Sequence, residues 1–237
     1  MVKQHLSKLS MPKTWPLKRK DAKFTTRPYS SSPFEYSIPL VNVLRDMLGL
    51  AKSLKEVKFI LNSREVMVNK QVRTNPKFSV SLMDVVELKK LKQHYRLLFN
   101  KNGKLFLHPI DAKESMLRPY KVLNKTVLKK NKVQLNLDNG INLLVKEDKF
   151  KVNSTILINT EKNAIVNTLP LDKGSLVYII GGNKVSRVGK VEDIKQFKGA
   201  YPDNIIFAAN NKSYETRKGY AFVIGKDKPI ISLPNEQ

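Results

Sequence analysis

Short segments in which polar and apolar residues alternate, joined by tight turns, dominate the chain from residue 93 onwards. Asn102-Gly103 and Asp138-Asn139-Gly140 supply residues that tolerate the positive φ angles required by two-stranded hairpins. Three pairs of segments follow this pattern: 95–99 with 104–108, 132–137 with 141–145, and 155–159 with 164–168. The pattern predicts antiparallel β-structure in this part of the chain.

Residues 39–92 have a different periodicity. Their apolar residues recur first at helical spacing, from Leu40 to Leu48, and Gly49 follows as a C-terminal stop. Ser53 and Glu56 form a capping-box pattern that predicts the start of a second helix. Valines then alternate around Asn69-Lys70, which predicts a hairpin. This segment therefore resembles a small module of two helices followed by a β-hairpin.

The C-terminal part is predicted to contain three further strands and several glycine turns. The strand candidates are residues 176–180, 205–209 and 220–224. We expect an α+β, multi-domain protein. Its predicted segments are a basic N-terminal arm (1–38), a helix-hairpin module (39–92), a central antiparallel β domain (93–170), a C-terminal β domain (171–225) and a tail (226–237).

Positive charge is the strongest functional signal. The chain has 44 Lys and Arg residues against 20 Asp and Glu residues, a formal net charge of +24. Such a surplus repels itself in a compact protein and is stabilised beside a polyanion. The arm is especially basic, and four prolines exclude a long helix there, so we expect it to lie along RNA.

Several other classes of function lack the residues that they need. The chain has no cysteine, which excludes disulfides and thiolate metal sites and fits a reducing cytoplasm. Its three histidines, His5, His94 and His108, do not have the spacing of a helical zinc site. No nucleophile elbow, phosphate loop or dinucleotide-binding motif occurs. We therefore expect no enzyme activity, no metal, no cofactor, no small-molecule substrate and no membrane partner.

The candidate RNA-binding residues are basic side chains, together with the one tryptophan of the arm. They come from the arm, the helix-hairpin module and the C-terminal β domain. They are Lys8, Lys13, Trp15, Lys18, Arg19, Lys20, Arg27, Lys52, Lys55, Lys58, Arg64, Lys70, Arg73, Lys184, Arg187, Lys190, Arg217 and Lys218.

Stretches along the whole chain resemble a known family, small ribosomal subunit protein four of the archaeal and eukaryotic type. Pro12 to Trp15 resembles the family's arm, and Ile38 to Leu48 and Val68 to Thr74 resemble its RNA-binding module. The glycines at 174, 181, 182 and 189 resemble a KOW motif, which is found in SH3-like barrels. Lys70 stands where the family usually has Gly, which leaves the geometry of that turn open. The chain ends soon after Ser232-Leu233-Pro234, which favours the archaeal type.

The resemblance implies a non-catalytic constituent of the small ribosomal subunit, located in the cytoplasm, that binds ribosomal RNA and contacts neighbouring ribosomal proteins. Two alternatives remain at this point. The helix-hairpin module also occurs beside RNA-modifying domains, although no matching Arg-Leu-Asp context is present. A KOW motif also occurs in transcription and translation factors that bind their complexes transiently.

Overall fold

The structure is a computed structural model that describes residues 5–29, 32–129, 132–145, 148–197, 199, 201–210 and 212–234. The chain divides into two compact units, residues 1–116 and 117–237. Both are built mainly of antiparallel strands, and the described helices lie in the first unit apart from single 3₁₀ turns. The five described 3₁₀ turns are Lys8–Ser10, Phe34–Tyr36, Glu114–Met116, Asp138–Gly140 and Lys218–Tyr220.

Two helices, α1 and α2, are described in the first unit. Helix α1 (Leu40–Asn42) continues without a break into a wider π-helical turn (Val43–Met47), and Gly49 follows in the left-handed conformation with a φ of 67°. Helix α2 (Leu54–Asn62) begins after Ser53, whose hydroxyl accepts a hydrogen bond from the amide of Glu56. The capping box is therefore formed as the spacing predicts, except that the Glu56 carboxylate accepts from the amide of Lys52, one residue before the cap.

The strands described in the first unit form three sheets. They are β1 (Leu6–Ser7), β2 (Phe24–Thr25), β3 (Ser37–Pro39), β4 (Val66–Val68), β5 (Gln71–Val72), β6 (Ser79–Ser81), β7 (Val85–Leu88), β8 (Gln93–Phe99) and β9 (Leu105–Pro109). Strands β1 and β2 pair, β3 pairs with β6, and the largest sheet has the order β5-β4-β7-β8-β9. The hairpin predicted around Asn102-Gly103 thus extends the sheet of the preceding hairpin, because β8 pairs with β7.

The N-terminal arm packs against this unit through Trp15. The indole is only 1% exposed, and its N–H donates to the carbonyl oxygens of Phe34 and Ser37 at 3.0 and 2.8 Å. The amide of Leu105 donates to the carbonyl of Thr14 at 2.7 Å, which ties the arm to β9. Burial of an aromatic ring of this size, with its N–H group hydrogen-bonded, stabilises the unit by roughly a few kcal/mol. Trp15 therefore anchors the described part of the arm.

Among its described residues, the second unit contains two five-stranded antiparallel sheets. The first has the order β12-β11-β10-β13-β14 and the second the order β18-β17-β16-β15-β19. The strands are β10 (Leu117–Val127), β11 (Val133–Leu137), β12 (Asn142–Val145), β13 (Thr155–Asn159), β14 (Ala164–Leu169), β15 (Leu176–Ile179), β16 (Val188–Lys195), β17 (Asn204–Ala209), β18 (Lys212–Arg217) and β19 (Ala221–Gly225). One apolar cluster, around Tyr120 and Leu135, packs beneath the first sheet, and another, around Val177 and Phe207, lies beneath the second.

A buried lysine connects the two sheets of this unit. Lys121 in β10 is 2% exposed, and its ammonium group donates to the carbonyl oxygens of Gly219 and Ala221, both at 2.7 Å. Burial lowers the pKa of Lys121 to about 8, because a low-dielectric environment disfavours the charged form. Two carbonyl dipoles replace part of the hydration that the ammonium group loses.

The architecture agrees with the predicted α+β, multi-domain class at the level of a β-rich, two-unit protein with few helices. The finer division into five segments stays a prediction. Strands β10, β16 and β18 were not predicted from the sequence. Each carries polar or charged residues at positions that a simple alternation would reserve for apolar ones, such as Arg118 and Lys121, which are buried in β10.

Candidate nucleic-acid interface

Eight of the predicted cations point outwards and form no ion pair with another described residue. Lys52, Lys55 and Lys58 lie in this group at and along helix α2, whose buried side is formed by Val57 and Leu61. The eight are Lys13, Lys18, Lys20, Lys52, Lys55, Lys58, Arg64 and Arg217. The charge of an exposed ammonium or guanidinium group that has no partner within the protein is not offset, so the group is available to bind an external anion.

Four further cations lie against aromatic rings. The guanidinium carbon of Arg73 is 4.4 Å from the centre of the Phe78 ring, and that of Arg27 is 5.4 Å from the Phe34 ring. Lys184 and Arg187 share the ring of Tyr214, at 4.7 and 4.5 Å. Cation–π contact holds a side chain in place without neutralising it. These four side chains are half-buried.

Five predicted cations make polar contacts inside their own unit. Lys8 pairs with Asp21, Lys70 with Glu87, Lys190 with Asp227 and Lys218 with Asp203. The guanidinium group of Arg19 donates to the carbonyls of Leu9 and Met11, both at 3.0 Å. A hydrogen bond from Lys8 lowers the pKa of the Asp21 carboxyl, so this carboxylate stays ionised and offsets the lysine charge. These five side chains are therefore the least available of the predicted cations for direct contact with a phosphate.

The structure places Trp15 away from any binding surface. Its indole is buried and both of its acceptors are backbone carbonyls, so the ring cannot stack on a base without local rearrangement. Sequence reasoning assigned Trp15 to the interface because it stands among cations. The structure explains its presence through packing instead.

The turn at Asn69-Lys70 has the geometry of a hairpin although neither residue is glycine. Both residues have positive φ angles, 51° and 63°, as a type I′ turn requires. The Asn69 side chain accepts from the amide of Val85 and donates to Asp84, at 2.9 and 2.7 Å. Lys70 reaches back to the nearly buried Glu87 carboxylate at 3.0 Å. The strain at Lys70 is therefore offset by its ion pair.

Several exposed aromatic side chains were missed from the sequence. Phe59 is 77% exposed on helix α2, four residues after Lys55 and thus on the same face. Tyr29 is exposed beside the ammonium group of Lys77, which lies 5.4 Å from its ring centre. Tyr201 and Phe197 project from the connection between β16 and β17. The sequence signal that could have identified these side chains is the alternation of aromatic and basic residues, because RNA-binding surfaces combine the two.

No helix in the described ranges is both long and apolar enough to span a bilayer. The outward cations instead lie on a β-rich scaffold of two units. This fold and this surface define the class of a modular nucleic-acid-binding protein.

Comparisons with known proteins identify the family. Residues 38–86 match the S4 domain, and residues 91–165 match the ribosomal family S4e. The chain is 38% identical over 233 residues to small ribosomal subunit protein eS4 of Methanosphaera stadtmanae, covering 98% of this chain and 96% of that protein. It is 37% identical to the eS4 protein of Methanothermobacter thermautotrophicus, with the same coverage. The chain therefore belongs to the eS4 family of small ribosomal subunit proteins, which confirms the resemblance found in the sequence.

A solved structure supports the fold. The crystal structure of 30S ribosomal protein S4e from Thermoplasma acidophilum matches with a TM-score of 0.71 and 24% identity, covering 81% of this chain and 96% of that one. Because the family is one of ribosomal proteins, the predicted non-enzymatic role is also confirmed. The alternative of an RNA-modifying enzyme is thereby set aside.

Proposed function

We propose that this protein is a structural constituent of the small ribosomal subunit in the cytoplasm, and that its outward cations bind folded small-subunit ribosomal RNA. Membership of the eS4 family supports the first part. The second part rests on one observation: a surplus of 24 positive charges, many of them without an internal partner among the described residues. Neighbouring ribosomal proteins are its further proposed partners.

The proposed binding surface of the first unit is the module that spans residues 39–92. Lys52 lies just before the cap of helix α2, and Lys55 and Lys58 lie on the helix, so the three present a row of charges. Arg64 follows in a left-handed turn with a φ of 57°. Phosphate oxygens are the natural ligands of such a row. Its mode of recognition is the charge and shape of folded RNA rather than base sequence.

In the second unit, we propose that residues 171–225 form the KOW-type barrel that the glycine pattern suggests. Gly189 supports this reading, because a Cβ there would lie 2.4 Å from the carbonyl oxygen of Ala208 on the neighbouring strand. Lys184 and Arg187, gathered on Tyr214, are the proposed phosphate-binding cations of this unit. The predicted arm (1–38), central domain (93–170) and tail (226–237) complete the proposed organisation.

The proposal is tested by measuring the affinity of the full chain for small-subunit RNA as a function of salt. Substituting Lys52, Lys55 and Lys58 together by Ala removes three outward charges. We expect the slope of log affinity against log salt to fall by about two, since each neutralised phosphate contributes slightly less than one.

A matched control removes three lysines that pair with exposed carboxylates, namely Lys125, Lys151 and Lys173. We expect this control to change the slope by less than about one, because these charges are partly offset within the protein. A slope that is flat in the unsubstituted protein, or equal losses in both variants, would contradict the proposed surface. Co-sedimentation with small subunits through a moderate-salt gradient tests the structural role.

A further inference from the structure

We propose that a cleft beside the β16–β17 connection stacks an unpaired nucleobase of RNA, an inference that rests on the proposed RNA-binding function. The cleft has a volume of about 450 Å³ and is lined by Phe197, Tyr201, Pro202, Asn204 and Arg217. It lies wholly in the second unit. Of its residues, only Arg217 was a candidate from the sequence.

The aromatic side chains of this cleft are unusually open to water. Tyr201 is 78% exposed and Phe197 is 44% exposed, so neither ring contributes much to the core. Tyr201 in particular leaves most of its ring surface in contact with water in the free protein. One exposed ring needs no explanation, but two rings on one concave surface beside an arginine form a stacking platform.

Hydrogen bonds and ion pairs around the cleft leave one guanidinium group available. Asp203 is occupied by Lys218 at 3.1 Å, and Glu215 is occupied by Lys195 and Asn204 at 3.1 and 2.9 Å. Hydrogen bonds from Asn204 and Lys195 also lower the pKa of the Glu215 carboxyl, which keeps it ionised and bound to them.

Arg217 lies opposite Asn204 in the β17–β18 pairing, and its guanidinium group makes no hydrogen bond or ion pair with another described residue. It therefore supplies the uncompensated charge of the cleft. Its planar group can bind a phosphate or lie flat on a base.

An unpaired base fits these features better than a duplex or a protein surface. The bases of an RNA duplex are stacked on each other and its deep groove is closed to side chains, so exposed rings reach only bases that are turned out of a helix. Tyrosine and arginine also mark protein–protein contacts. The net charge of +24 and the free guanidinium group favour a polyanionic partner instead.

The test titrates the full chain with two RNA probes of equal charge: a short single strand that contains one 2-aminopurine, and a fully paired duplex. Stacking on an aromatic ring quenches 2-aminopurine fluorescence. We expect Tyr201→Ala to weaken binding of the single strand by about fivefold to one-hundredfold and to abolish most of the quenching. Binding of the duplex should stay within about twofold.

Matched variants separate stacking from apolar contact and from charge. Tyr201→Phe keeps the ring and should bind like the unsubstituted protein, whereas Tyr201→Leu should behave like Tyr201→Ala. Arg217→Lys keeps the charge but loses the planar group, so single-strand affinity should fall severalfold at an unchanged salt slope. Leu144→Ala, at a 65% exposed position of β12, is the control for loss of a large apolar side chain elsewhere in this unit.

Unchanged quenching in Tyr201→Ala, an equal loss of duplex binding, or full affinity in Tyr201→Leu would each overturn the stacking site. Poor incorporation of Tyr201→Ala into small subunits together with unchanged single-strand binding would assign the cleft to a protein neighbour and overturn it as well. Failure of the unsubstituted chain to bind either probe would instead refute the proposed function. The two failures are therefore distinguishable.

Discussion

The ammonium nitrogen of Lys121 lies 2.7 Å from the carbonyl oxygen of Ala221, which is 100 residues further along the chain. A second carbonyl, that of Gly219, accepts from the same ammonium group at the same distance. A charge buried among dipoles that only partly replace water makes the stability of this unit depend on pH.

We predict that the free energy of unfolding rises between about pH 8 and pH 10.5 through Lys121. Its pKa is about 8 in the folded protein and 10.5 in the unfolded chain, so the unfolded chain binds more protons in this window. Stability therefore increases with pH there, by up to about 3 kcal/mol. Urea unfolding of the full chain at several pH values measures this change in the free energy of unfolding. Lys121→Met is the reference, and a stability difference from it that stays constant with pH would contradict the prediction.

The left-handed turn at Lys70 gives a second prediction. Lys70→Ala and Lys70→Gly both remove the ion pair with Glu87, whose carboxylate is nearly buried, and both should destabilise the first unit by about 1–3 kcal/mol. Lys70→Gly should be the more stable of the two by about 0.5–1 kcal/mol, because glycine adopts a φ of 63° without strain. Chemical unfolding of both variants tests this, and the reverse order would show that backbone strain at residue 70 is unimportant.

Burial of Trp15 gives a third prediction that spectroscopy can check directly, since it is the only tryptophan. We expect blue-shifted emission and little quenching by iodide in the native protein. Trp15→Phe removes the indole N–H that donates to the carbonyls of Phe34 and Ser37, and should cost about 1–3 kcal/mol. Emission typical of an exposed indole in the folded protein would refute the anchoring of the arm.

A fourth prediction concerns the close approach of two strands at Gly189. An added Cβ would lie 2.4 Å from the Ala208 carbonyl oxygen and 2.6 Å from the Phe207 ring. Gly189→Ala should therefore destabilise the second unit by about 1–3 kcal/mol as β16 and β17 are forced apart. Gly219→Ala is the control, because nothing lies within 4 Å of the added atom there. Equal thermal unfolding midpoints for the two variants would disprove the contact.

Local signals were sufficient for much of the fold. The turns at Asn102-Gly103 and Asp138-Asn139-Gly140 fix their hairpins, and the observed strands begin and end within one or two residues of the predicted bounds. Helix α2 follows its predicted cap at Ser53. Such elements depend on residues close together in sequence, which sequence reasoning can assess.

Elements that depend on distant partners were not predictable in this way. Strand β10 contains the buried charge of Lys121, and its burial depends on contacts with the remote carbonyls of Gly219 and Ala221. The candidate site had the same difficulty. Lys55 and Lys8 are the same residue type, so the sequence alone does not distinguish them. Lys55 faces solvent, whereas Lys8 is paired with Asp21.

The order of strands in the last sheet has a consequence for synthesis. Strand β15 lies between β16 and β19, and all five residues of β19 are buried. While the chain is being translated, one side of β15 presents unsatisfied backbone groups until the residues of β19 have left the exit tunnel. An open strand edge of this kind is prone to pair with other chains. We therefore expect the newly made chain to be most prone to association with other chains just before β19 is added.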